Sequence, residues 1–279
     1  MALLFRLTFI ALLLGLAGCS SSSLYFLPYS NWVQTPYQQA LSYEDVVLVH
    51  RNGLRLHGWW LPAEQDEPLG TVYFLHGNAE NISTHLMAVA WLPSRGYNVF
   101  LLDYRGYGYS EGKPSLPAVF NDIQLGLNWL QHSGRSTPPL IVYGQSLGAA
   151  MSAYVLAQEY NKSAYQCAVL EASFTDYREI AAHIMGQTWL RVLKPAVLPM
   201  LPNKWAPEQQ VAHIDAPLLI IHSEKDEIIP YEQGERLFRA ASDPKALLTL
   251  QTPHIGGSFS AEKQEAILTF WQEQCYAAK

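Results

Sequence analysis

Cysteine is scarce: three residues in 279, and after Cys19 only Cys167 and Cys275 remain. An oxidising compartment would permit those two to pair, but nothing in the sequence fixes their separation. Cys167 reads as a core-strand residue and Cys275 lies near a terminal helix, so free, buried thiols are the expectation. Metal-type Cys/His spacing is missing, which leaves no metal centre to expect. No dense basic run occurs, and the net charge is −6 with a pI near 5.8, so nucleic acid is not an expected partner. There is no internal repeat, and no low-complexity tract beyond Ser20 to Ser23. The longest early apolar run, Leu7 to Ala17, is too short and too weakly flanked to be read as a membrane span.

What the chain does contain is organised around Leu140–Ile141–Val142–Tyr143–Gly144–Gln145–Ser146–Leu147–Gly148–Ala149–Ala150. Four apolar, partly β-branched residues run into Gly-x-Ser-x-Gly, and small, helix-compatible residues follow through Ala157. The pattern reads as a buried strand, a one-residue elbow and a helix. A serine at such a corner sits in a strained backbone conformation, and a Cβ two residues to either side would collide with the neighbouring strand or helix. The corner lifts the hydroxyl out of the sheet, and the helix N-terminus behind it favours developing negative charge. The competing reading is a tight strand–helix turn whose serine merely caps the helix.

Around this centre, strand and helix signals alternate. Tyr43–Arg51 and Leu54–Leu61 are strand-like, with Asn52–Gly53 between them as a hairpin signal. Thr71–His76 is short and almost wholly apolar, as suits a strand buried on both faces. Helical patterns at Ile82–Leu92, Leu116–Gln131, Tyr231–Ala241 and Ala261–Tyr276 alternate with extended stretches at Tyr97–Leu102, Gln166–Leu170, Pro217–His222 and Ala246–Leu250. A lead hairpin followed by such repeats implies an α/β fold with a mostly parallel, doubly wound sheet.

In such sheets the reactive side chains lie at the C-terminal ends of strands. The third strand ends in His76–Gly77–Asn78, where Gly77 lets the loop turn tightly. In an acyl-transfer enzyme the Asn78 amide here would complement that of Leu147 to hold a tetrahedral oxyanion. His76 is expected to brace this loop rather than act as a base. Asp103 and Arg105, after the fourth strand, read as a structural pair, and the glycines at 106 and 108 do not have P-loop spacing. Downstream, Asp226 sits in a polar turn before a proline-started helix, and His254 follows the last strand beside Gly256 and Gly257. The order Ser146, Asp226, His254 supplies a weak nucleophile, a base and a carboxylate to orient the base. Asp226 as a helix cap and His254 as an exposed loop residue are the alternatives. Glu224, Glu227 and Glu171 are weaker candidates for the acid.

The set His76–Gly77–Asn78, Asp103-x-Arg105-Gly106-x-Gly108-x-Ser110, Gly144-x-Ser146-x-Gly148, Asp226 and His254 resembles the α/β-hydrolase superfamily. Within it, the chain is similar to the serine-aminopeptidase-like and monoglyceride-lipase-like branch, with its small acyl-protein thioesterase relatives. The resemblance runs from about Tyr43 to Ala278. It implies Ser146 as nucleophile, Asp226 and His254 as relay, and the amides of Asn78 and Leu147 as oxyanion hole, with no cofactor. Asn78 stands where many lipases have Gly or Ala. The superfamily inserts its lid where this chain has 173–214, a stretch holding Trp189, Leu190, Val192, Leu193 and Trp205 broken by prolines. That lid either lines an acyl pocket or covers the sheet without touching substrate.

The leader has its own resemblance. Arg6, the apolar run and Leu16–Ala17–Gly18–Cys19 are similar to a bacterial lipoprotein signal, cleaved before a cysteine that is then acylated. The expected organisation is a signal peptide over 1–18, a lipidated tether and connector over 19–42, and a hydrolase domain over 43–279. Acylation at Cys19 implies a membrane anchor in the bacterial cell envelope, with Ser20 resembling the outer-membrane sorting pattern and the domain facing the periplasm. The function expected is cleavage of a carboxylic ester or thioester in a small-molecule or lipid acyl substrate. A peptidase or amidase with the same triad, or a non-catalytic tethered binding protein, is the alternative.

Overall fold

The apolar runs pair into one eight-stranded sheet in the computed structural model, which describes residues 24–256 and 260–276. The leader and Cys19 lie outside the described residues. In chain order the strands are β1 (Leu27–Pro28), β2 (Glu44–Val49), β3 (Arg55–Leu61), β4 (Gly70–Leu75), β5 (Ala79–Glu80), β6 (Tyr97–Leu102), β7 (Leu140–Gln145), β8 (Cys167–Glu171), β9 (Leu218–Ser223) and β10 (Lys245–Leu250). The large sheet has the order β10-β9-β8-β7-β4-β6-β3-β2, while β1 and β5 form a separate two-stranded piece. Pairing is parallel from β10 to β6, and β3 runs antiparallel to both β6 and β2. This is the mostly parallel, doubly wound sheet expected, with the lead hairpin at one edge.

The central strands are buried on both faces, and their side chains divide by parity. In β4, Tyr73 and Leu75 enter one core cluster while Val72 and Phe74 enter the other. The first cluster is closed by α1 (Ala118–His132), α2 (Leu147–Leu156) and α4 (Tyr231–Ala240), and the second by α5 (Ala261–Phe270) and the stretch holding Ile82, Leu86 and Val89. Helix α3 (Tyr177–Gly186) opens the lid, whose later part is short turns. Among the described residues no helix is long and apolar enough to cross a membrane.

Three expectations need correction. Cys167 and Cys275 are not free thiols; they form a disulfide with Cα atoms 5.5 Å apart. The cause is the C-terminal helix, which lies across the sheet with Trp271 packed on Tyr97 and so brings Cys275 onto β8. Asp103 and Arg105 do not pair. Arg105 Nε lies 2.9–3.0 Å from the buried carboxylate of Asp122 on α1, whereas Asp103 turns inward and accepts the Ile82 amide at 2.9 Å. Finally, Ile82–Leu92 is one helical turn, Ile82–His85, continued by tighter turns, because Asn81 caps its start and Pro93 follows its end. Separately from these corrections, part of the expected connector packs on the domain: Leu27–Pro28 pairs with Ala79–Glu80, and Phe26 is buried.

Candidate active site

Strand β7 ends at Gln145 and α2 begins at Leu147, so Ser146 alone makes the corner. It sits at φ 54° and ψ −119°, on the left-handed side that a serine adopts only under constraint. The flanking glycines make that possible. A Cβ on Gly144 would lie 2.6 Å from Ala149 Cα, and one on Gly148 would run into the carbonyl oxygens of Leu75 and His76. The Ser146 amide donates to Glu171 O at 2.8 Å, which ties the corner to β8.

The structure brings three of the strand-end residues together. His254 Nε2 lies 3.0 Å from Ser146 Oγ, and its Nδ1 lies 2.7 Å from Asp226 Oδ2. The Asp226 side chain is completely buried, and its Oδ1 accepts the amides of Ile228 and Ile229 at 2.9 and 2.8 Å. Burial alone would raise its pKa. Hydrogen bonds from His222 and His254 outweigh that and hold the carboxyl well below the usual carboxylate range. A carboxylate here accepts Nδ1–H and leaves the Nε2 lone pair facing the serine hydroxyl. The nearby His222, a strand-end residue with no catalytic part in the sequence reading, lies 3.4 Å from Asp226 and 3.0 Å from Ile229 O, so it braces the acid's turn.

Leu147 and Asn78 both line the cavity beside Ser146. Leu147 carries the first amide of α2, which has no acceptor within the helix. Asn78 follows β4 and lines the cavity with Ser146 and His254. His76 Nδ1 lies 2.8 Å from Gly77 O, and because a trans peptide sets its C=O and N–H in opposite directions, this contact also aims the Asn78 N–H. Burial holds the His76 imidazole neutral, and Tyr104 stacks on it at 4.2 Å. Its Nε2 is 3.5 Å from Asp103, whose carboxyl burial pushes up to about 8. His76 therefore braces the loop, as its strand-end position suggested. The Asn78 carbonyl in turn accepts the Leu27 amide at 2.9 Å and the Tyr107 hydroxyl at 2.7 Å.

Behind the corner is a network that the sequence did not reveal. Glu171 and Lys263 form a fully buried ion pair at 2.5 Å, and Glu171 Oε2 also accepts Tyr143 OH and Gln145 Nε2. With its amide nitrogen committed there, Gln145 turns its oxygen to His85 Nδ1 at 3.1 Å, while His85 Nε2 lies 3.2 Å from Ala79 O. Burial keeps this imidazole below its ordinary pKa, so a neutral ring donates to one of the two oxygens. The glutamate weighed as an alternative acid thus has a supporting place, not a place in the relay.

The cavity above Ser146 holds about 570 Å³, and its walls are largely apolar, with Leu24, Phe174, Ile180, Ile184, Ile229 and Ile255 among them. The lid does two things. Phe174, Ile180 and Ile184 line the cavity, whereas Trp205 packs on Phe120 and Tyr154 and covers the core.

Comparison with known proteins agrees with this architecture. A family model described as serine aminopeptidase, S33 (Hydrolase_4) matches residues 66–207, a range that includes Ser146 but not Asp226 or His254. The chain is 33% identical over 214 residues to the Escherichia coli K12 protein YfhR, covering 75% of this chain and 72% of that one. It is 32% identical over 222 residues to the α/β hydrolase domain-containing protein WAV2 of Arabidopsis thaliana, covering 75% and 70%. Among solved structures, the Pyrococcus furiosus esterase Pf2001 superposes with a TM-score of 0.74 at 20% identity, over 90% of this chain and 98% of the esterase. A puromycin-hydrolysing peptidase of Mycobacterium tuberculosis superposes with a TM-score of 0.65 at 21% identity, over 84% of this chain and 39% of that one.

Proposed function

Given that the chain belongs to the Hydrolase_4 (serine aminopeptidase, S33) family of α/β hydrolases, we propose that it is a serine esterase or thioesterase anchored to the bacterial envelope. The observation that carries this reading is the unbroken relay from Ser146 Oγ to His254 to Asp226, at 3.0 and 2.7 Å, at the floor of an apolar cavity. Ser146 Oγ attacks the acyl carbon while His254 Nε2 takes its proton. The amides of Asn78 and Leu147 receive the negative charge on the carbonyl oxygen. His254 then returns the proton to the departing alcohol or thiol, and water repeats the sequence to release the acid and restore Ser146. No cofactor enters these steps.

One observation favours amide cleavage as a second reading. Glu80 lines the same cavity, held at φ 65°, and its carboxylate could receive the ammonium of an aminoacyl substrate. Rates on p-nitrophenyl esters of increasing chain length, set against aminoacyl naphthylamides, separate the two. The ester reading expects medium-chain esters to be hydrolysed, and Ser146→Ala and His254→Ala each to lose at least about 10³-fold in kcat. Naphthylamide turnover that exceeds ester turnover and falls in Glu80→Gln would replace it with the amide reading.

The anchor is part of the proposal: cleavage before Cys19, acylation of that residue, and retention at the outer membrane with the domain in the periplasm. Palmitate incorporation that is lost in Cys19→Ala supports it, and a Cys19→Ala protein that still partitions with membrane counts against it.

A further inference from the structure

The mouth of the Ser146 cavity has an unusual rim. Leu24, Ile184 and Ile228 line the cavity and are nevertheless 67%, 47% and 48% exposed. Helix α3, which carries Ile184, packs against the turn Trp189–Leu193, where Trp189 and Val192 stand 76% and 71% exposed. Several large apolar side chains left exposed at and near a site mouth mark contact with something other than water.

Charge indicates what that is. Between Ile180 and Pro207 the sequence has no Asp or Glu, but it has Arg191, Lys194 and Lys204, in a chain of net charge −6. An exposed tryptophan and aliphatic tips, with Arg191 and Lys194 in the same segment, fit an anionic bilayer interface; the exposed Glu80 and Glu227 beside the mouth are the acidic groups these cations offset. Indole settles at headgroup level, aliphatic groups go below it, and the cations meet phosphates.

Chain length points the same way. Four residues, Ser20 to Ser23, separate Cys19 from Leu24, and the five extended residue steps between them span at most about 18 Å. Acyl chains on Cys19 therefore keep the rim, rather than the far end of the sheet, close to the membrane surface. The strap beyond Leu24 runs directly to the oxyanion loop, through β1 paired with β5 and the Leu27 amide on Asn78 O.

Resting on the reading of Cys19 as the anchor and Ser146 as the nucleophile, we propose that the rim and lid dock on an anionic phospholipid bilayer and that the substrates are acyl esters drawn from it. The acyl ester enters past Leu24, Ile184 and Ile228. Ser146 Oγ forms the new acyl bond as the ester C–O bond breaks, the alcohol leaves with the proton from His254, and water then releases the fatty acid.

The test uses the full chain, produced with its leader and reconstituted in brominated phosphatidylethanolamine–phosphatidylglycerol vesicles at about 3:1. Tryptophan emission of Ser146→Ala is compared with that of Ser146→Ala/Trp189→Phe. The quenched part of the emission is expected to fall by about two-fold or more in the second protein, and to fall again when phosphatidylcholine replaces phosphatidylglycerol. Equal quenching with and without Trp189 would overturn the docking, and would mean that another partner covers this face. Both proteins carry Ser146→Ala and the readout is quenching, not turnover, so this result does not depend on the role of Ser146. On the active background, Trp189→Phe/Arg191→Glu/Lys194→Glu is expected to match the parent on a soluble short-chain ester. It should be at least about ten-fold slower on a long-chain ester embedded in the same vesicles. Equal rates on the embedded ester would overturn the bilayer as the source of substrate.

Discussion

The left-handed backbone at Ser146 costs of order 1–3 kcal/mol, so the surroundings must hold it. Two kinds of residue do so. Gly144 and Gly148 let α2 and β4 close in on the corner, and Glu171 accepts the Ser146 amide while its side chain holds Tyr143 and Gln145. Lys263 neutralises that carboxylate in a site where both side chains are 1% exposed. Lys263→Met is therefore expected to destabilise the protein by about 3–5 kcal/mol, because it strands a buried charge, and Glu171→Gln/Lys263→Met should recover most of that loss. Urea midpoints of the single and double variants check this; a double variant no more stable than Lys263→Met would contradict it. Ser146, Asp226 and His254 were legible as a set because each follows an apolar strand with glycine or proline nearby. The network behind them was not, since Gln145 reaches His85 60 residues away and Lys263 reaches Glu171 across 92. Periodicity reports which face a residue takes, not which distant side chain it meets there.

Among the elements, long strands with apolar runs were readable to within a residue or two, because burial on both faces leaves no polar position to blur the pattern. Pieces defined by tertiary contact were not. β1 has two residues and no period, and it forms only because Asn78 and Glu80 offer it carbonyl acceptors. The lid broke into a helix and short turns where its prolines fall. The disulfide belongs to this scale as well, since it fastens the C-terminal helix to β8 across a separation of 108 residues. Cys275→Ala/Cys167→Ala is expected to lower stability by about 2–5 kcal/mol, because a closed loop of that length restricts the unfolded chain. The same change should leave ester turnover at low temperature nearly intact, because the bond lies away from Ser146 and its cavity. A midpoint equal to that of the parent would show that packing of Trp271 alone secures the helix.

Over the whole molecule, the sheet order places β4, β7 and β8 side by side, so the Asn78 loop, Ser146 and the Glu171 network share one edge, with the loops after β9 and β10 bringing Asp226 and His254 to it. That convergence follows from parallel strands alone, since every strand end delivers its loop to the same side. The distribution of charge and apolar surface has a separate logic: a molecule of net charge −6 keeps a carboxylate-free segment with exposed apolar side chains, Ile180 to Pro207, beside the site mouth. The central claim is that Ser146 is a hydroxyl activated by His254 at that edge. Labelling with a fluorophosphonate probe tests it most directly, comparing the parent with Ser146→Ala and His254→Ala, each checked for fold by circular dichroism. The account expects a labelled parent and no label on either variant. Label retained on Ser146→Ala, or none on a folded parent, would contradict it.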